Sequence, residues 1–151
     1  MKKLRIYLDT STIGGCFDEE FSIPSKILFE MFDNKIYIPV ISEIVIKELE
    51  NAPKQVKEKI NNLNNIEFVR SNDEIIELAT LYIKNKAVNE NYFDDALHIA
   101  IATFYNVDIL VSWNFKHIVN INKIHQFNSI NISNNFSILE IRSPLEVIAN
   151  E

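Results

Sequence analysis

Read for its alternation of apolar and polar positions, the chain predicts strands and helices in turn. Leu4-Arg5-Ile6-Tyr7-Leu8 is a short run of strand formers that stops at Asp9 and the polar group Thr10-Ser11-Thr12. Beyond a loop, apolar residues recur at helical spacing from Pro24 to Phe32, with Asn34 as a stop. A second strand is expected over Ile36 to Pro39. Ser42 reads as the N-cap of a helix carrying Ile44, Val45, Glu48 and Leu49, and Pro53 opens another helix that runs to about Leu63. Ile66 to Val69 reads as a third strand, followed by helices over Asp73 to Lys86 and Tyr92 to Tyr105. Asp108 to Ser112 reads as a fourth strand, Phe115 to Phe127 as a helix, and Ser137 to Arg142 as a fifth strand before Pro144. This alternation predicts an α/β fold, a three-layer α/β/α sandwich on a central, mostly parallel sheet of about five strands. No repeat, linker or low-complexity stretch divides the chain, so residues 1–151 are expected to form a single domain.

Composition narrows the class without deciding it. Of the residues, 47% are hydrophobic and 24% charged, which suits a soluble globular protein. The opening apolar stretch is too short for a signal peptide and no 18-residue apolar run exists, so a cytoplasmic location with no membrane span is expected. A single cysteine, Cys16, excludes an internal disulfide and a thiolate-rich zinc site, and reads as a small apolar residue. The formal charge of −6 argues against a broad nucleic-acid-binding face. It leaves room for an enzyme that grips a phosphodiester through metal ions, because the carboxylates needed for the metals add to the negative count.

Candidate chemistry gathers at the ends of the expected strands, where ligands bind in open α/β sheets. Asp9 ends the first strand and either projects into a crevice or caps the next turn. Gly14 and Gly15, the only glycines, follow at once; they mark either a tight turn or a backbone held close to a site. No GxGxxG or GxxxxGK[ST] pattern is present. Glu48 stands beside an apolar stripe, reaching solvent or facing a site, while Glu43 and Glu50 point elsewhere on the helix. Asp94 and Asp95 precede the apolar run Ala96 to Ala102, and a cap accounts for only one of them. His98 lies one turn from Asp95, as a core histidine or an assistant to the site. Ser112, Trp113 and Asn114 close the fourth strand, Asn114 being a turn former as readily as a ligand, and Phe115-Lys116-His117 supplies a cation at the same edge.

In order and spacing, these segments resemble the PIN domain family, including the toxin ribonucleases of bacterial toxin–antitoxin pairs, over essentially the whole chain. The resemblance is carried by Tyr7-Leu8-Asp9-Thr10-Ser11 with Gly14-Gly15, by Ser42 to Leu49, by Asp95 to Ala100, by Leu110 to Ile118, and by the ending Ile141 to Glu146. It implies a pocket of acidic residues that binds Mg²⁺ or Mn²⁺ and cleaves RNA. Position by position, the implied acids are Asp9, Glu48 and Asp95 rather than Asp94. Asn114 stands where the family frequently has a fourth acid, as an auxiliary ligand that adds no charge. Ser112 is placed to hydrogen-bond Asp9 or the scissile phosphate. An antitoxin partner and a homodimer are implied as well.

Two other readings compete. A catalytically silent PIN-like module that binds protein or RNA is favoured by Asn114 and by the acidic charge. Phosphatase or phosphoaspartyl chemistry at Asp9 lacks the expected second Asp two positions on, where this chain has Ser11.

Overall fold

A computed structural model describes residues 2–149. The sheet is built from β1 (Arg5–Leu8), β2 (Ile38–Ser42), β3 (Glu67–Val69), β4 (Ile109–Val111) and β5 (Glu140–Arg142). All pairings are parallel, in the order β3-β2-β1-β4-β5. The helices are α1 (Thr10–Gly14), α2 (Ser22–Asp33), α3 (Glu43–Glu48), α4 (Lys54–Asn61), α5 (Asp73–Lys84), α6 (Phe93–Phe104), α7 (Ile121–Ser133) and α8 (Pro144–Ile148). Single 3₁₀ turns at Gly15–Phe17 and Glu90–Tyr92 lead out of α1 and into α6. Among the described residues, no helix is long and apolar enough to cross a membrane.

Alternation along β1 makes the layers. Successive strand side chains point to opposite faces. Tyr7 therefore joins the cluster formed with α5, α6 and Phe127 of α7, whereas Ile6 and Leu8 join Ile13, Leu28, Phe29 and Phe32 on the other side. A strand buried on both faces reads as a nearly continuous apolar run, which is what Ile6-Tyr7-Leu8 is. The expected α/β/α sandwich is thus the observed one, with every strand parallel.

Several boundaries move, for local reasons. The second strand starts at Ile38 rather than Ile36 because α2 ends in a Schellman turn. Lys35 takes a left-handed φ of 60°, and the Ile36 amide donates to the Met31 carbonyl. Lys86, Asn106 and Asn135 end α5, α6 and α7 in the same way. Asn tolerates this conformation better than most residues, and it serves here where glycine is usual. The helix expected at Phe115 to Phe127 is displaced to Ile121–Ser133. The Asn114 side chain accepts from the His117 amide and holds a turn, and Asn120 then caps α7 by accepting from the amides of Asn122 and Lys123. The stretch expected as a loop after Asp9 contains α1, and Pro144 opens α8 with a capping box between Ser143 and Glu146.

Candidate active site

From β1 the chain steps outward to β2 and β3, then returns to the opposite side of β1 with β4 and β5. The order reverses between β1 and β4, and the crevice beyond the carboxyl ends of these two strands is where such sheets bind ligands. Asp9 follows β1 and Ser112 follows β4, so both stand at this switch point.

Asp9 is 4% exposed, and its carboxylate is held from several sides. Oδ1 accepts from the Ser11 hydroxyl at 2.7 Å, the Thr12 hydroxyl at 3.0 Å and the Thr12 amide at 3.2 Å. Oδ2 accepts from the Ser112 hydroxyl at 2.6 Å. Asp9 therefore does both things its position allowed: it caps α1 and lies in the crevice. The polar run Thr10-Ser11-Thr12 was the sequence signal for this cradle, though spacing alone assigned those residues no task.

Glu48 comes from the last turn of α3. Its Oε1 accepts from the Thr10 hydroxyl at 2.7 Å and faces His98 Nε2 at 2.6 Å, while 30% of the side-chain surface stays open. His98, 2% exposed, meets the Tyr7 hydroxyl through Nδ1 at 2.7 Å, and Tyr7 in turn meets the Ser42 hydroxyl at 2.7 Å. Ser42 sits at the N-cap position of α3, but its hydroxyl is spent on Tyr7 rather than on capping. Burial alone would lower the His98 pKa. The bond to Glu48, with the charges of Glu48, Asp9 and Asp95, outweighs burial and raises it. Burial likewise works to raise the Glu48 pKa, and the bond and charge of His98, with the Thr10 hydroxyl, bring it below the usual range. Burial holds Tyr7 well above the ordinary phenol range, so its hydroxyl keeps its proton. His98 is accordingly a satisfied core histidine that also fixes a site carboxylate.

Asp95 lies in the first turn of α6, half-buried, whereas Asp94 beside it is exposed. Neither caps the helix, since no side-chain cap bond is made there. Burial pushes the Asp95 carboxyl up to about 6; His98 opposes the shift, and the negative charges of Asp9, Glu48 and Asp94 add to it. Asn114 turns its amide nitrogen toward Asp95 Oδ2 at 3.4 Å while its Oδ1 accepts from the His117 amide at 2.9 Å. Its own amide donates to the Ser112 hydroxyl at 2.9 Å. Glu43 stays outside the site, accepting from the amide and hydroxyl of Ser71.

The crevice thus brings Asp9, Glu48, Asp95, Ser112 and Asn114 into one hydrogen-bonded and electrostatically coupled group. Among the described residues, no three His, Cys, Asp or Glu side chains are gathered tightly enough to cage an ion outright. The donor set fits a hard cation of another kind. Among the described residues nothing donates to Glu48 Oε2 or Asp95 Oδ1, and burial, with the charges of Asp9, Glu48 and Asp94 adding to it, holds Asp95 above the usual carboxylate range. An ion that keeps several waters and takes only one or two carboxylates suits such a site.

Solved structures share this fold. The chain superposes on VapBC2 from Rickettsia felis, a structure bound to a DNA fragment from its promoter, with a TM-score of 0.59 and 16% identity. That match covers 93% of this chain and 98% of the other. The Mycobacterium tuberculosis toxin VapC20, described as cleaving the sarcin-ricin loop, matches with a TM-score of 0.56 and 16% identity, over 74% of this chain and 92% of its own. The chain has the PIN-like fold of the VapC toxins. No protein-family model and no curated protein sequence matches it. The PIN-like core is therefore legible in this chain mainly through its fold and a few residues at strand ends.

Gly15 ties the site to the PIN-like scaffold. Both glycines have ordinary helical φ, so neither is needed for a left-handed turn. A Cβ on Gly15 would lie 2.7 Å from Ser25 Oγ and 2.7 Å from Trp113 Nε1, whereas one on Gly14 would meet nothing. Trp113 is itself fixed by its indole N–H donating to Ser25 at 2.8 Å and by stacking on Phe21. Gly15→Ala is expected to destabilise the fold by about 1–3 kcal/mol through overpacking. Gly14→Ala should be neutral or stabilising by about 0.4–1 kcal/mol. Chemical denaturation of both variants checks the contrast, and similar midpoints would contradict the close-approach reading.

Proposed function

We propose that this protein is a metal-dependent endoribonuclease that hydrolyses RNA phosphodiester bonds, and that it serves as the toxin of a type II toxin–antitoxin pair. The observation that carries the reading is the convergence of Asp9, Glu48 and Asp95 at the β1/β4 switch point of a PIN-like fold. Asp9, Glu48 and Asp95 are the residues that would hold Mg²⁺ or Mn²⁺, with Asn114 beside them. A bound ion there supplies positive charge against the phosphate oxygens and a water of lowered pKa.

The chain's own residues do the rest. Ser112, Ser11 and Thr12 hold the Asp9 carboxylate in one orientation, so that an oxygen faces the crevice without a reorganisation step. His98 does the same for Glu48, leaving Oε2 to accept from an attacking water. Asp95 at the mouth of α6 is the least solvated by donors and gains most from a cation. Asn114 offers Asp95 an N–H where a fourth carboxylate would add repulsion, which supports a site holding one ion firmly and a second only with substrate. Substrate phosphate would then enter at the end of β4 beside Asn114, with Ser112, buried and bonded to Asp9, acting from behind.

The likeness to VapBC2, bound to a fragment of its promoter, supports an antitoxin partner for this chain. A homodimer and a cytoplasmic location belong to the same reading. Both core clusters share one sheet, which supports a single domain. The rival is a silent binding module, favoured by Asn114. Calorimetric titration of Mn²⁺ into chelator-stripped protein separates the two. The ribonuclease reading expects heat that is lost in Asp95→Asn, and a silent module gives none.

A further inference from the structure

The turn that follows β4 carries a feature the acidic site does not use. Tyr92, in the 3₁₀ turn that leads into α6, stacks on His117 with ring centroids 4.0 Å apart and planes 30° from parallel. One face of the phenol ring is thus backed by imidazole, yet Tyr92 remains 40% exposed. The other face of the phenol ring is open to a further flat ring. The pair sits at the mouth of the crevice. Tyr92 lies three positions before Asp95, and the His117 amide donates to the same Asn114 side chain that faces Asp95. Lys116 is exposed next to it, and the charges of Lys116 and Lys123 both act on His117. Phe115, 48% exposed and edge-on to Trp113, is a second exposed aromatic on the segment that follows β4.

We propose that Tyr92, backed by His117, is a stacking platform for an unpaired base of the RNA, next to the phosphate held at the acidic site. The inference rests on the ribonuclease reading and names its substrate class as RNA with unstacked bases. The chemistry favours RNA over a protein partner. A net charge of −6 leaves little general attraction for a polyanion, so affinity has to come from local cations and from base stacking, which every base can supply. Both are present together here, on the turn that leads into α6, whose first turn carries Asp95, and on the turn out of β4 that carries Asn114. A fully paired duplex, with its bases stacked on one another, offers nothing for Tyr92 to hold. The tyrosine hydroxyl is not required by this role, and the ring is.

The test uses the full chain with Mn²⁺ and two labelled RNAs, an unstructured strand and a blunt duplex. Single-turnover cleavage gives the half-saturating protein concentration, and fluorescence polarisation with a short oligoadenylate gives affinity directly. Tyr92→Ala is expected to raise the half-saturating concentration on the unstructured strand on the order of tenfold, as removal of one stacking ring does, with the maximal rate much less affected. Tyr92→Phe should bind as the wild type does. His117→Ala should show a smaller loss, and the duplex no change. Wild-type cleavage with unchanged half-saturation in Tyr92→Ala overturns the platform while leaving the ribonuclease reading intact. An equal loss on the duplex, a loss in Tyr92→Phe as large as in Tyr92→Ala, or weakened binding of a protein partner alone also overturns it. Absence of both cleavage and oligoadenylate binding in the wild type overturns the platform together with the reading it rests on.

Discussion

Asp95→Asn is expected to abolish RNA cleavage while making the metal-free protein more stable. The two effects share one cause. Burial and the charges of Asp9, Glu48 and Asp94 disfavour the ionised carboxyl and push it up to about 6, although His98 pulls the other way. A raised carboxyl pKa means that the charged form costs the native state free energy. That cost is absent below the ordinary value of 3.8, grows as the pH rises, and is complete above about 6. The full shift corresponds to about 3 kcal/mol; discounted for partial exposure of the carboxyl, about 1–2 kcal/mol is expected. Denaturation in chelator should therefore show Asp95→Asn gaining stability at pH 7 and matching the wild type near pH 4. Added Mn²⁺ should reverse the order, because in the proposed site only the wild type would bind the ion and be stabilised by it. Loss of several kcal/mol of metal-borne stabilisation predicts a rate at least about a thousandfold lower in the variant. A variant that is less stable than the wild type at pH 7 without metal would contradict the reading that burial, with like charge added, disfavours the ionised carboxyl in the crevice.

The second large effect is expected at His98. Its ring joins the core hydroxyls of Tyr7 and Ser42 to the Glu48 carboxylate, and removing it strands both ends of that chain. Breaking one partner out of a buried pair costs about 3–5 kcal/mol. Glu48 keeps 30% of its side chain open and can rehydrate, so His98→Ala should cost less, about 2–3 kcal/mol, including the cavity. The raised His98 pKa contributes stability that is full below 6.5 and is lost as the pH rises through the folded value. The lowered Glu48 pKa contributes stability that is full above 4.5 and is lost as the pH falls through its folded value. The stability gap between wild type and variant is therefore widest between pH 4.5 and 6.5. His98→Gln, which can still donate one hydrogen bond, should recover part of the cleavage rate but not this pH dependence. A gap that does not change with pH would show that His98 fills space and does not pair with Glu48.

The site was legible in the sequence to unequal degrees, and the inequality has physical roots. Asp9 and Ser112 could be placed because a strand that ends abruptly in polar residues tells where the sheet stops. Asp95 could be told from Asp94 only by motif, since both precede the same helix and burial decides between them. Glu48 was ambiguous because a carboxylate beside an apolar stripe points to solvent or to a site with the same periodicity; here it does both. Thr10 and Tyr7 carried no assigned task, because hydrogen bonds between segments far apart in the chain leave no spacing to read. The displacement of α7 has a different origin. Apolar residues from Phe115 onward suit a helix, and the side chains of Asn114 and Asn120 outcompete it by bonding backbone amides. The same turn is what carries His117 back onto Tyr92.

The proposed task of Asp9, Glu48 and Asp95 is to hold a divalent ion for RNA hydrolysis. It is tested most directly by the initial rate of cleavage of a labelled RNA as Mn²⁺ is returned to chelator-stripped protein, with wild type and Asp9→Asn purified in parallel. The wild type is expected to be silent in chelator and to recover cleavage with Mn²⁺, and Asp9→Asn to stay silent throughout. Equal rates in the two proteins, or cleavage that persists in chelator, would contradict it.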